Sequence, residues 1–251
     1  MILIFTVFDE AYSDYKEMWE WVISRSYPEH FAGAIFIERT EQQPYIAACK
    51  RFTTNPNILY PHLGEIDVYV TDIDMMILRE SPTIEEFHRE EISREGNCYS
   101  NSPRNNDEPE SRERLTGLHY VTPEWYRKTF DARDRYLTLI DDSWIGKGRY
   151  DDEKMLFNIC NESGLKIPPK KPLQKRHHGI HLGTFRNYVM YGPQRLRSEL
   201  RTRISPHQAR QWNEITEEKE YKRILSNIKN PVIKKEFEFL ETFCRSWGKS
   251  K

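Results

Sequence analysis

The chain reads as an α/β protein with a mostly parallel, Rossmann-like central sheet flanked by helices and followed by a helical C-terminal tail. Three observations predict this. Short apolar runs at 1–8, 34–37 and 66–70 alternate with stretches of helical period, giving the order β-α-β-α-β. The third run, in IDVYVTDIDMMIL, alternates Ile66, Val68 and Val70 with Asp67 and Tyr69, as a half-buried strand does. A length of 251 residues with 37% hydrophobic content is enough for one sizeable core. These features predict a single domain over 1–210, with 211–251 packed on it as a helical extension.

Met1 to Phe8 is the first buried strand, and Asp9 to Ser13 a polar turn at its carboxyl end. Tyr15, Met18, Trp19 and Val22 recur at helical spacing, so Tyr15 to Ser24 is a helix. Ala34 to Ile37 is the second strand and Gln43 to Phe52 the second helix. Pro82 to Glu91 is helical, with Ser81 as its cap and Pro82 in its first turn. Cys98 to Ser100 reads as a strand. Asn101 to Arg114 contains no apolar residue except proline, the composition of a loop that a ligand orders. Leu115 to Val121 returns to a strand, in which His119 is a structural histidine. Pro123 to Phe130 is a helix, and the glycine-punctuated segment from Asp141 to Tyr150 leads into a further helix starting at Asp151-Asp152-Glu153. From Trp212 onward the tail is charged, amphipathic and interrupted at Pro231.

Composition narrows the function classes. The net charge of −1 implies no global attraction to nucleic acid. Cys49, Cys98, Cys160 and Cys244 form no zinc-type spacing, which points to free thiols and a reducing, cytoplasmic setting. MILIFTVF is too short for a membrane span and lacks a basic leader. The amphipathic tail also suits weak contact with an anionic membrane surface. No G-x-G-x-x-G follows the first strand, and there is no Walker A pattern. One region departs from the neutral average: residues 170–210 carry ten Lys or Arg against Glu199, a balance suited to a diphosphate or another polyanion.

The strand at 66–70 runs into Asp72-Ile73-Asp74. On an extended chain, side chains two apart share a face at roughly 6.6 Å. Two hard carboxylate donors at the carboxyl end of a strand suit Mg²⁺ or Mn²⁺ shared with a substrate phosphate. The pair is also compatible with solvated turn carboxylates, and with a haloacid-dehalogenase-type phosphatase. That phosphatase family wants a Thr after the second Asp, where this chain has Met75 and Met76.

Three segments in order resemble the GT-A-fold, family-8 (glycogenin- and galactosyltransferase-like) glycosyltransferases. They are the DxD Asp72/Asp74, the acidic helix start YDDEKMLFNI, and the late HGIHLG. Glu153 or Asp152 stands where the family has Gln. The spacing from His181 to Gly183 is one short of H-x-x-G, with His178 as the shifted alternative. Arg186 stands in for the family's Lys-Pro-Trp lysine. The resemblance implies a GT-A domain that moves a sugar from a nucleotide-sugar, a UDP-sugar by analogy, to a hydroxyl of a glycan or other acceptor, as in polysaccharide biosynthesis. It implies Mn²⁺ or Mg²⁺ held by Asp72, Asp74 and a histidine, His181 or His178; an imidazole ligand favours Mn²⁺. Thr6, Phe8 and Tyr12 fall where the family holds base and ribose. Lys50, Arg51, Asp72, Gly183 and Arg186 fall near the phosphates, with Gly179 and Gly183 admitting close backbone approach. Asp152, with Asp151 and Glu153 beside it, is the acceptor base in an inverting enzyme and a sugar-positioning group in a retaining one. A non-catalytic sugar- or nucleotide-binding domain is the remaining alternative.

Overall fold

A computed structural model describes residues 1–104, 113–169, 178–186 and 204–247. By its internal contacts the chain divides into two compact units that alternate along the sequence. The first is 1–10, 29–72 and 81–174; the second is 11–28, 73–80 and 175–251. The chain passes from one to the other between Asp72 and Ile73.

The first unit carries a five-stranded sheet in the order β2-β1-β3-β6-β5. Its strands are β1 (Leu3–Phe8), β2 (Phe31–Phe36), β3 (Val68–Val70), β5 (Tyr99–Ser100) and β6 (His119–Val121). Strand β1 is buried at every position, the pattern of a strand covered on both faces. It pairs in parallel with β2, from Leu3 opposite Phe31 to Phe8 opposite Phe36, and with β3, from Leu3 opposite Val68 to Phe5 opposite Val70. Strand β6 then runs antiparallel to both β3 and β5. The sheet is therefore mixed rather than mostly parallel. A helix separates β1 from β2 in the chain, as parallel pairing needs, whereas the β3–β6 and β5–β6 pairs are antiparallel.

Helices α2 (Ile46–Thr53), α6 (Phe130–Asp141) and α7 (Asp151–Glu162) are core-packed in this unit. Their apolar residues Cys49, Phe52, Ile140, Met155, Leu156 and Ile159 join Leu3, Phe5, Val68 and Val70 in one hydrophobic cluster. The short α3 (Pro56–Leu59) and α5 (Pro123–Lys128) complete the unit with α4 (Ile84–Glu95). Thr83, not Ser81, caps α4, through a capping box with Glu86; Gly96 closes it in the left-handed conformation. The helix expected over 123–130 is two: α5 ends at Lys128 and α6 begins at Phe130.

The second unit contains α1 (Lys16–Ser26), the antiparallel pair β4 (Met75–Ile77) and β7 (Gly179–His181), and the helices α8 (Pro206–Glu217), α9 (Lys219–Asn227) and α10 (Pro231–Trp247). Where Asp9 to Ser13 was expected as a turn, Glu10–Tyr15 is a 3-10 helix leading into α1. Helix α1 buries Met18, Trp19, Val22 and Ile23. Trp212 of α8 lies parallel to Phe237 of α10, with ring centroids 6.2 Å apart. The tail from 211 is thus part of this unit's core. Gly179 is required by the strand pair: a Cβ there would sit 2.1 Å from the Met76 carbonyl oxygen.

All four cysteines are buried free thiols. Among the described residues, no helix is long and apolar enough to cross a membrane. The expected loop at 101–114 falls largely, at 105–112, outside the described residues. So do the basic residues at 170–177 and 187–203.

Candidate functional site

The motifs resolve into two charged clusters, one in each unit. The extended geometry expected for the DxD ends early: β3 stops at Val70, and Ile73-Asp74 lie in a turn. Each Asp therefore has its own surroundings.

In the first unit, Arg51 of α2 is the hub. Its side chain is 4% exposed, donates through Nη1 to Asp72 Oδ1, and through Nη2 reaches Asp152 Oδ2 at 2.8 Å. Burial alone would lower the Arg51 pKa; Asp72 and Asp152 outweigh it and drive it up. Burial pushes the Asp152 carboxyl up against the opposing pull of Arg51. Gly117 keeps the room Arg51 needs, since a Cβ there would lie 2.6 Å from Nη2. Lys50, next in the helix, pairs instead with Asp141 at 2.9 Å.

The other two acids of the YDDEK segment have different partners. Asp151 Oδ2 accepts from the backbone N–H groups of Gly146, Lys147 and Gly148 at 3.1, 2.9 and 2.8 Å. Its carboxylate thus anchors the glycine loop that precedes α7 and does not cap the helix's own N–H groups. Glu153 is buried and accepts from Arg104 Nε at 2.7 Å, with Arg114 3.6 Å from its other oxygen. Thr6 and Phe8 are buried in β1; among the described residues the Thr6 hydroxyl has no hydrogen-bond partner, and Phe8 stands edge-on to Phe36 at 5.8 Å.

His119 is structural. Asn101 Oδ1 accepts from Thr116, which fixes the amide so that its Nδ2 faces His119 Nδ1 at 3.0 Å. The imidazole therefore accepts at Nδ1 and is neutral. Burial, then the charge of Arg51, pushes its pKa down to about 3.

In the second unit the centre is Asp74. The β4–β7 register sets Met75 opposite His181, and Leu182 N–H donates to the Asp74 carbonyl at 2.9 Å. This brings His181 Nε2 to 3.1 Å from Asp74 Oδ1. Arg186 Nη2 donates to Asp74 Oδ2, also at 3.1 Å. Burial would raise the Asp74 carboxyl, but His181 and then Arg186 hold it down at about 2. Gly183 faces the pair: a Cβ there would meet Asp74 Oδ2 at 2.8 Å and His181 Nε2 at 3.1 Å. His178, the alternative ligand, is fully buried, with Nδ1 3.9 Å from Glu80. His181 is 43% exposed.

Arg186 donates from each of its three nitrogens. Nε donates to Glu236 Oε1 at 3.0 Å, Nη1 to the Tyr12 hydroxyl at 3.1 Å, and Nη2 also to the Tyr15 hydroxyl at 3.1 Å. Tyr15 in turn donates to Glu236 Oε2. Tyr12 stacks on Tyr15 at 6.1 Å. Neither Tyr15, read from the sequence only as a helix residue, nor Glu236 was expected at the site. For Glu236 a signal exists: Ile233, Phe237, Leu240 and Phe243 form the apolar face of α10, and Glu236 occupies a position on that same face.

A carboxylate and an exposed imidazole 3.1 Å apart, beside a glycine whose side chain would crowd both, are a donor set that a divalent cation fits. No family model, curated protein or solved structure matches the chain.

Proposed function

We propose that the chain is a metal-dependent glycosyltransferase of the GT-A type, acting on a nucleotide-sugar. In this reading Asp74 and His181 hold Mn²⁺ or Mg²⁺, and Arg51 holds Asp72 in the first unit. The observation that carries it is the pairing of β4 with β7. Two segments about a hundred residues apart, singled out by residue type alone, meet as Asp74, His181 and Gly183. A second junction agrees: Asp72 and the acidic helix start share Arg51.

When bound, the cation would neutralise charge on a diphosphate leaving group as a Lewis acid. The chain's own residues do the rest. Asp74 and His181 supply unlike donors, a hard carboxylate and an imidazole, and that mixture favours Mn²⁺ over Mg²⁺. Arg51 orients Asp72 and Asp152 together. The Arg51 bond holds the Asp152 carboxylate in one direction, which suits positioning of a sugar or acceptor hydroxyl.

The test is a panel of nucleotide-sugars assayed for hydrolysis with and without Mn²⁺. Mn²⁺-dependent release of a nucleoside diphosphate from one donor is the expected result. Hydrolysis of a simple phosphomonoester without any nucleotide-sugar turnover would replace this reading with the phosphatase. Metal-dependent nucleotide binding without turnover would replace it with a binding domain.

A further inference from the structure

Glu236 is the one carboxylate in α10 that the fold removes completely from water. An ionised carboxylate at a core position costs several kcal/mol unless it is paired. A leucine or glutamine would fill the same helix face without that cost. Both Glu236 oxygens accept hydrogen bonds, Oε1 from Arg186 and Oε2 from Tyr15, which is how an ionised carboxylate is satisfied. Arg186 carries the connection onward to Asp74 Oδ2. The other Asp74 oxygen faces His181.

We propose that Glu236 is a positioning residue for the cation site, acting through Arg186 to aim the Asp74 carboxylate and to offset the arginine's charge. The inference rests on the cation-site reading above and extends it to a residue about 160 positions away in the chain. The charge count shows why an acid is needed. Asp74 and Arg186 alone sum to zero once a cation has replaced any proton on His181, which leaves little attraction for it. Adding Glu236 restores a net charge of −1. The guanidinium then holds Asp74 Oδ2 in place without cancelling the site, as outer-shell partners of metal-bound carboxylates do. Tyr12 and Tyr15 accept two more of its N–H groups, so Arg186 is held at each of its nitrogens.

The experiment is equilibrium Mn²⁺ binding by the full chain, with metal-free thermal unfolding recorded alongside. Glu236→Gln should raise the Mn²⁺ dissociation constant by roughly ten- to a hundredfold. Adding Arg186→Gln to it should recover most of that loss, because the uncompensated positive charge is removed. A purely structural role moves the unfolding midpoint but gives no such recovery. Wild-type Mn²⁺ affinity in Glu236→Gln, or a double variant that binds no better than the single one, overturns the proposal. Should Glu236→Gln not fold, Glu236→Asp keeps the charge and shortens its reach. It should weaken Mn²⁺ measurably, and wild-type affinity in it overturns the proposal equally. If wild type binds Mn²⁺ and Asp74→Asn does not, while Glu236→Gln is unchanged, only this inference falls. If wild type does not bind Mn²⁺, the cation site falls with it.

Discussion

The two charged clusters are built from the same residue types and differ in what answers the carboxylates. In the first unit Asp72, Asp152 and Glu153 each face an arginine, and Arg51 is buried between two of them. In the second, Asp74 meets an arginine on one oxygen and an exposed histidine on the other. A guanidinium does not lose its proton at ordinary pH, so an arginine-bound carboxylate stays committed. An imidazole can exchange a proton for a metal ion. The first cluster is therefore suited to holding geometry, and the second to taking up a ligand.

The largest effect should come from breaking the first cluster. Arg51→Met leaves Asp72 and Asp152 without their buried counter-charge and should cost about 3–5 kcal/mol of stability, read by denaturant unfolding. A loss under about 1 kcal/mol would mean that water already screens the two acids.

The same kind of cut in the second cluster should behave differently. Asp74→Asn leaves Arg186 paired with Glu236, so unfolding shifts by only about 1–2 kcal/mol. Mn²⁺ binding, by contrast, should weaken by more than about a hundredfold, beyond the usual cost of an outer-shell change. If stability drops as far as in Arg51→Met while Mn²⁺ affinity stays put, the contrast between the clusters is gone.

The two histidines sharpen it further. His119 has its pKa lowered from 6.5 to about 3 by burial, so below pH 6.5 the unfolded chain takes up a proton that the folded chain does not. Stability should fall by about 1.4 kcal/mol per pH unit on that account, roughly 2 kcal/mol between pH 7 and pH 5. The acceptor at Nδ1 can be kept by a glutamine, so His119→Gln should remove this slope. A wild-type and variant difference that stays constant from pH 7 to pH 5 would show that His119 is not held neutral.

The smallest change is Gly183→Ala. The added methyl crowds Asp74 Oδ2 and His181 Nε2, both movable side-chain atoms. Roughly tenfold weaker Mn²⁺ binding is expected, with the fold retained. Unaltered affinity would place the cation elsewhere than beside these two atoms.

Some of this was set by residue pattern alone. The continuous apolar run of β1, the period of α1 and the alternation before Asp72 each reflect local burial, and a local sequence records local burial. Asp72, Asp74, Arg51, Asp152, His181 and Arg186 were also visible, because charged and metal-ligating types stand out at those spacings. The tertiary structure decided their partners. That β6 runs antiparallel to β3, so that the sheet is mixed, depends on pairing at long range, which no window of residues contains. Asp151 and Asp152 are neighbours with the same side chain, yet one ties down the glycine loop and the other meets Arg51. Helix geometry turns consecutive side chains about 100° apart and sends them to different surroundings. Glu236 is the extreme case. Its sequence shows only an acid on an apolar face; Arg186 and Asp74, brought to it by packing and by the β4–β7 register, give that acid its role.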